Sequence, residues 1–441
     1  MAFLKKHTNK LAFFALLLIF CGQYLANGVT VATDTIRFEA FSPLVYPLYS
    51  IALWFFRSLF GVKVGYFLLG LFQNLLLVMS ICSLCNYVKK VFRLELVTYV
   101  LLLLVSSLVF FLQKWFTRAG IISSNTLFSE ALSIPLYLFF FRYILQTILE
   151  RSKKAFLFGC LFATGLILTR GQLYWVILIV FITRLYLADQ KIWKALLSAL
   201  LICAVIAGCV EGSRVIQTLS VSDEQEKAPA NMYVLTTAVY CSEQQDAALF
   251  PEGSGERLLL EQVRPWMDDP AHQAAFSYET GDLTRRHKMF ENTYDDLKVI
   301  INTHYTALTA QGYTISMGHI TAKLIFANLG AFLLHCGQNA LTGMIRTVAI
   351  LKPGINLMVG VFFAYLMICL LLSRKNEHLQ NERRLTCLGL LCAALNALIM
   401  APGVFALSRY MIYNMPIMYL AAILFLRGLI LQWCKNKKVS A

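Results

Sequence analysis

AFLFGCLFATGLILTRGQLYWVILIVFITRLYLA, residues 155–188, is an apolar run of 34 residues broken at its middle by Arg170 and Gly171. As one helix it would be about 51 Å long at 1.5 Å per residue, far more than a single crossing of about 30 Å. Arg151, Lys153 and Lys154 precede the run, and Lys191 and Lys194 follow it. Basic residues gather on the cytoplasmic side of a span, so both ends belong there. The run is therefore expected to be a tight hairpin whose outer turn carries Arg170 and Gly171.

The same test orders the rest of the chain. With 58% hydrophobic residues, 14% charged residues and a mean hydropathy of +0.64, these 441 residues are too apolar for a soluble globular protein. Apolar runs of spanning length lie at 11–27, 65–86, 95–112, 126–146, 195–213, 355–373, 385–405 and 411–432, beside the hairpin's 155–169 and 173–188. Lys5, Lys6 and Lys10 place the N-terminus inside, and Lys435, Lys437 and Lys438 place the C-terminus inside. Two inner ends require an even number of spans, and ten satisfies this. Residues 43–60, PLVYPLYSIALWFFRSLF, are apolar enough to cross, but a crossing there would put Lys89, Lys90 and Arg93 outside. Pro43, Tyr46, Pro47, Tyr49 and Trp54 suit the headgroup region, so the segment is expected to be an interfacial helix of the outer leaflet. Lys5, Lys6 and Ala26 imitate a signal peptide, yet removing the first span would leave an odd number. The expected fold is an all-α polytopic membrane protein of about ten spans, in a plasma membrane. It comprises a seven-span core at 1–215, an extracytoplasmic, mainly helical domain at 216–350 and a three-span module at 351–441.

Charge refines this picture. A net charge of +15 would suggest nucleic acid for a soluble protein, but here the cations flank apolar runs, which excludes that partner. Fifteen of the 24 acids lie between Asp223 and Asp296, in a polar segment where ERLLLEQVRPW and TYDDLKVIINTHYTAL have helical periodicity. The run 324–336 is short for a span and is left between an interfacial and a re-entrant reading, and a crossing by it and 341–351 would keep parity. Most of the twelve cysteines sit in spans as small hydrophobes, Cys82 and Cys85 included.

Topology leaves few acids outside the polar domain on the outer face: Asp34, Glu39, Glu130 and Glu211. The same level holds Arg37, Lys114, Arg118, Arg170, Arg214, Arg409 and Tyr410. A charge within a bilayer costs at least about 2.5 kcal/mol, so those beside spans should face a polar cavity or each other. Arginine's planar fork holds phosphate oxygens and stabilises charge on a leaving phosphate. A carboxylate near a hydroxyl takes its proton as that oxygen attacks. Cations around one or two carboxylates thus suit a phosphate-bearing lipid and an acceptor hydroxyl. Structural alternatives pair Asp34 with Arg37 or Lys63, pair Glu130 with Arg118 or Arg170, and let Arg170 and Arg409 reach headgroups.

Four stretches carry a resemblance: TDTIRFEAFSPLVYPLYSIALWFFRSLFG at 33–61, SNTLFSEALSIPLYLFFF at 124–141, GLILTRGQLYW at 165–175 and SRYMIYNMPIMYLAA at 408–422. In order and topology they resemble the glycosyltransferase C superfamily, which uses polyprenyl-phosphate sugar donors, and especially the branch related to protein O-mannosyltransferases and aminoarabinose transferases. The resemblance covers roughly 1–215 and 385–432. It implies transfer of a sugar, with inversion and no cofactor or metal, to an acceptor on a glycan, lipid or protein. It implies Asp34 as base, Arg170, Arg409 and Arg118 on the phosphate with Glu130 orienting one of them, and Arg37, Tyr46 and Tyr410 lining the site. The domain at 216–350 would cover the cavity and select the acceptor. Three departures stand out: Thr35 where relatives have a second acid, a short loop from Asp34 to Pro43, and Arg-Gly at 170–171 where many have Arg-Pro.

Asp268 with Asp269, Asp295 with Asp296, and the histidines follow no metal-ligand spacing. Two competing readings remain. A polysaccharide polymerase or ligase of the O-antigen type would lean on loop arginines such as Arg285 and Arg286. A lipid-linked oligosaccharide flippase would line a full crossing path with charge and show two related halves.

Overall fold

The computed structural model describes residues 2–42, 45–113, 122–188, 191–220, 232–269, 283–349, 353–374 and 376–439. It is an all-α polytopic membrane protein. In chain order the helices are α1 (Ala2–Asn27), α2 (Thr33–Glu39), α3 (Pro47–Phe92), α4 (Leu96–Phe111), α5 (Ser129–Glu150), α6 (Lys153–Thr169), α7 (Val176–Tyr186) and α8 (Ile192–Ser220). There follow α9 (Met232–Tyr240), α10 (Gly255–Asp268), α11 (Leu283–Ala310), α12 (Met317–Ala327), α13 (Leu329–Arg346), α14 (Pro353–Ser373), α15 (Gln380–Met400), α16 (Ser408–Met411) and α17 (Met415–Val439). Among the described residues seven helices are long and apolar enough to cross a membrane, or eight if the bent pair α12 and α13 is one span. Leu96–Phe111 and Gly171–Tyr186 are apolar but shorter. Large apolar side chains stay exposed along these helices, among them Leu18, Val97, Leu157, Leu197 and Leu357. Such a surface is stable against lipid and would aggregate in water.

The chain forms two compact units, Met1–Glu224 with Val361–Ala393 and Ile412–Ala441, and Gln225–Gly360 with Ala394–Met411. In the first, α5 packs on α6 and α3, and α3 on α1. Gly70 lets α1 approach, since a Cβ there would lie 2.3 Å from the Tyr24 hydroxyl oxygen, which donates to Phe67 O at 2.9 Å. The 46 residues of α3 are two helices, because Gly61, at φ 73° and ψ 171°, breaks the ladder in a region that favours glycine. The fold-back is tight. A Cβ on Gly65 would meet the Phe56 carbonyl oxygen at 2.7 Å, whereas nine residues of straight helix would hold them about 13 Å apart. Residues 47–60 therefore form a helix separate from 62–92.

At the α3–α4 turn Arg93 takes the left-handed cap at φ 49°. Arg427 of α17 satisfies the freed carbonyls of Phe92 and Arg93 at 3.3 and 3.1 Å and grips Glu95 with both arms at 2.9 and 2.7 Å. Residues 155–188 are divided between α6 and α7, which are joined by extended Arg170 and a short 3-10 turn, Gly171–Trp175.

In the second unit α10 buries Leu259, Leu260, Val263 and Met267, and α11 buries Tyr294, Leu297, Ile301 and Leu308. Their opposite faces carry i,i+4 and i,i+3 ion pairs such as Arg257–Glu261 at 2.8 Å and Lys298–Asp295 at 3.0 Å. Helices α12 and α13 meet at 96° about Asn328. On α13 the polarity is reversed, for His335, Asn339, Thr342 and Arg346 face inward while Leu333, Leu334 and Leu341 are exposed.

Candidate active site

Two short strands, β1 (Thr30–Val31) and β2 (Thr126–Leu127), pair in parallel and fasten the segment after α1 to the start of α5. Thr35 strengthens this fastening, since its hydroxyl accepts from Ala32 N–H at 2.9 Å and donates to Leu127 O at 2.6 Å. The position after Asp34 is thus occupied by a buried hydroxyl that docks α2.

Glu130 follows in the first turn of α5, where the helix dipole favours an anion. Its side chain is 3% exposed and ion-paired to Arg170, which is 14% exposed. Arg170 is aimed by its backbone. It is extended at φ −155° and ψ 121°, it caps α6 by donating its N–H to Leu166 and Ile167, and a second guanidinium nitrogen donates to Gln172 Oε1 at 3.0 Å. That bond fixes the amide of Gln172, and its Nε2 is buried without a hydrogen-bond partner. A cation and an unmatched N–H donor therefore lie side by side, a set that an oxyanion satisfies.

Tyr46 covers the neighbouring backbone. A Cβ at Gly171 would meet its hydroxyl oxygen at 2.3 Å and its ring at 2.6 Å, so any larger residue there would push Tyr46 off the turn. The Tyr46 ring meets Tyr174 edge-on at 6.5 Å and carries the Arg214 guanidinium at 5.1 Å. Glu211 accepts from Tyr174 and pairs with Arg214 at 3.4 Å. Burial pushes the Tyr46 phenol up, with Arg214 pulling it down and Glu211 adding to the rise, so it stays a neutral donor at physiological pH. Gln217 braces the loop before it, donating to the carbonyls of Phe41, Ser42 and Val45 at 3.0, 2.8 and 3.1 Å.

Asp34 sits in the first turn of α2, 44% exposed, with Arg37 at 3.7 Å. Glu39 pairs with Arg57 at 3.1 Å. The structure therefore brings Glu130, Arg170 and Tyr46 together, and joins Asp34 to Arg37 in a separate surface pair one residue from the Thr35 bond. Arg409 and Tyr410 belong to the second unit, where the guanidinium donates to the Tyr410 hydroxyl at 2.8 Å and Asn396 holds the Tyr410 carbonyl at 2.9 Å. Lys114, Arg118 and the side chains of Arg285 and Arg286 lie outside the described residues.

Sequence reasoning missed Gln172, and it placed Arg214 on the outer face without assigning it a role. It also passed over Gln73 and Asn74, two adjacent amides inside the apolar run LLGLFQNLLLVM, although polar residues at that depth are costly and mark sites. In the second unit an open cavity of about 390 Å³ is lined by Glu243, Asp246, Arg257, Glu261, Arg264 and Asp268. Its Arg257 and Arg264 pair with Glu261 and Asp268 at 2.8 and 2.9 Å. Compared with protein-family models, curated proteins and solved structures, the chain matches none.

Proposed function

We propose that the protein is an integral-membrane glycosyltransferase of the glycosyltransferase C type, moving a sugar from a polyprenyl-phosphate donor to an acceptor hydroxyl on the outer face of a plasma membrane. The observation that carries this reading is the buried Glu130–Arg170 pair with Gln172 Nε2 unmatched beside it. A buried ion pair in an apolar bundle adds little stability over apolar packing, so its presence argues for use. Arg170 and Gln172 would take the donor phosphate, and Glu130 would hold the guanidinium in register.

Asp34 is assigned as base, following the resemblance. It would take the acceptor proton as that oxygen forms its bond to the anomeric carbon from the face opposite the phosphate. The carbon–oxygen bond to phosphate breaks, and polyprenyl phosphate leaves with the electron pair, its charge met by Arg170. Ten spans, with both ends cytoplasmic, complete the reading. They count α4, α6 and α7 as short crossings and 47–60 as an interfacial helix.

The test is transfer from labelled polyprenyl-phosphate sugars by wild type and Asp34→Asn in membranes. Transfer lost while the donor still binds supports the assignment. Unchanged turnover would remove Asp34 from the mechanism.

A further inference from the structure

The fold-back of α3 at Gly61 places polar groups of its two halves against each other. Tyr49 and Ser50 lie on the first half, Gln73 and Asn74 on the second, and all four are fully buried. Gln73 Nε2 donates to the Tyr49 hydroxyl at 2.7 Å, which leaves Gln73 Oε1 without a partner. If the amide is turned over, its nitrogen becomes the unmatched atom, so one end of Gln73 is unanswered either way. Asn74 is not ambiguous. Its Nδ2 faces Gly70 O at 2.9 Å, Ser124 O at 3.1 Å and Asn125 Oδ1 at 3.2 Å, so its Oδ1 must be the end that accepts from nothing. Ser50 Oγ is also unmatched.

Three such groups on the two halves of α3 call for an explanation, because a buried polar atom left without a partner is destabilising. Leucines at 69 and 77 of the same helix show that apolar side chains suit this interior. The chemistry of the set narrows what answers it. Phosphate and carboxylate accept only, so they cannot satisfy the Asn74 carbonyl, and a lipid tail satisfies none of the three. A hydroxyl both donates and accepts and fits all of them. Two members reach toward the ion pair: Tyr49, the partner of Gln73, packs in one cluster with Phe128 and Ala131, the residues on either side of the Ser129–Glu130 step, and Asn74 bonds Ser124 and Asn125, which lead into that step.

We infer that Ser50, Gln73 and Asn74 form a hydroxyl-binding subsite next to the Glu130–Arg170 pair, which takes the sugar ring of the lipid donor. This rests on the donor-lipid reading above. The subsite would set sugar specificity, while Arg170 serves the phosphate common to every such donor.

The full chain in lipid nanodiscs is titrated with polyprenyl phosphate and with the same lipid carrying glucose, mannose, galactose or aminoarabinose. Wild type is compared with Ser50→Ala and Gln73→Leu, which leave the contacts of Asn74 intact. The expected result is that wild type binds one glycosylated lipid at least about tenfold more tightly than polyprenyl phosphate, and that each variant removes about tenfold of that preference. Affinity for polyprenyl phosphate should not fall in either variant; the melting temperature should hold in Ser50→Ala, which removes only an unmatched group, and fall in Gln73→Leu, which also takes the donor from the Tyr49 hydroxyl. Variants that keep the full preference, or a wild type that binds all the lipids equally, would overturn the subsite and assign the unmatched atoms to buried water. A wild type that binds none of these lipids would overturn the donor-lipid reading and the subsite with it.

Discussion

Glu130 and Arg170 depend on each other because each is a charge almost out of water, at 3% and 14% exposure. Removing one partner strands the other, so Glu130→Gln should lower stability by about 3–5 kcal/mol, read as a fall in melting temperature in detergent. Pairing it with Arg170→Gln should recover most of that loss and none of the transfer. Asp34 is different, being half exposed with a partner at 3.7 Å, so Asp34→Asn should change stability by less than about 1 kcal/mol while abolishing transfer. Gly171→Ala should lower the melting temperature by driving a methyl into the Tyr46 ring, and Tyr46→Ala in the same chain should restore it. At this scale the sequence was partly legible. It named Glu130 and Arg170, because both are charges that topology brings to one level, and it left Arg118 and Arg170 as equal partners for Glu130. Gln172 was not legible, since an unmatched amide nitrogen is a property of packing. Gly171 was visible in the sequence, but the tyrosine that lies over it, 125 residues earlier in the chain, was not.

Helix α3 shows how one backbone angle sets an element. Gly61 lies in a region nearly closed to other residues, so Gly61→Ala should cost about 1–3 kcal/mol, and Gly65→Ala, which drives a methyl into the Phe56 carbonyl, should cost at least as much. Thermal unfolding of both variants would show it, and intact stability for either would mean that α3 is not folded back. Charge parity in the flanking loops made the separation of 47–60 from the following span legible, but Gly61 as its hinge was not singled out. Residues 324–336 are divided between α12 and α13, which meet at 96°. The exposed leucines of α13 and its inward His335, Asn339 and Arg346 invert the polarity of a water-facing helix, so cysteines replacing Leu334 or Phe326 should react with lipid-soluble maleimides and resist water-soluble ones. At the α3–α4 turn, Arg427 holds the Glu95 carboxyl down, from its ordinary 4.5 to about 2. A depressed carboxyl contributes above its unfolded value, and that contribution is lost as pH falls through the folded one. The stability difference between wild type and Glu95→Gln should therefore be present at pH 6 and gone near pH 2, and it should be below about 1 kcal/mol because Glu95 is largely exposed.

For the whole molecule, hydropathy and basic flanks made the all-α membrane class legible, because no soluble fold tolerates this composition. Span number is harder, since α4, α6 and α7 are shorter than the usual crossing and, among the described residues, length and composition pass seven or eight helices. The ten-span reading expects cysteines placed at Arg151 and Lys191 to be labelled from the cytoplasm and one placed at Gln245 from outside, and opposite labelling of the first two would show that the hairpin does not cross twice. Residues 256–266 and 293–308 were legible as helical from their periodicity and fall in α10 and α11, while the loop at 401–407, which Asn339 and Arg346 hold by its carbonyls, carried no signal in the sequence. What these helices serve is decided most directly by turnover. Membranes bearing wild type or Arg170→Gln are given labelled polyprenyl-phosphate sugars, and the release of polyprenyl phosphate is followed together with the appearance of label on acceptor. The account predicts that wild type releases both products in equal amounts and that Arg170→Gln slows release at least about a hundredfold, the scale of losing a cation that stabilises a leaving oxyanion. Equal turnover by the two proteins, or none from wild type with any donor, would contradict it.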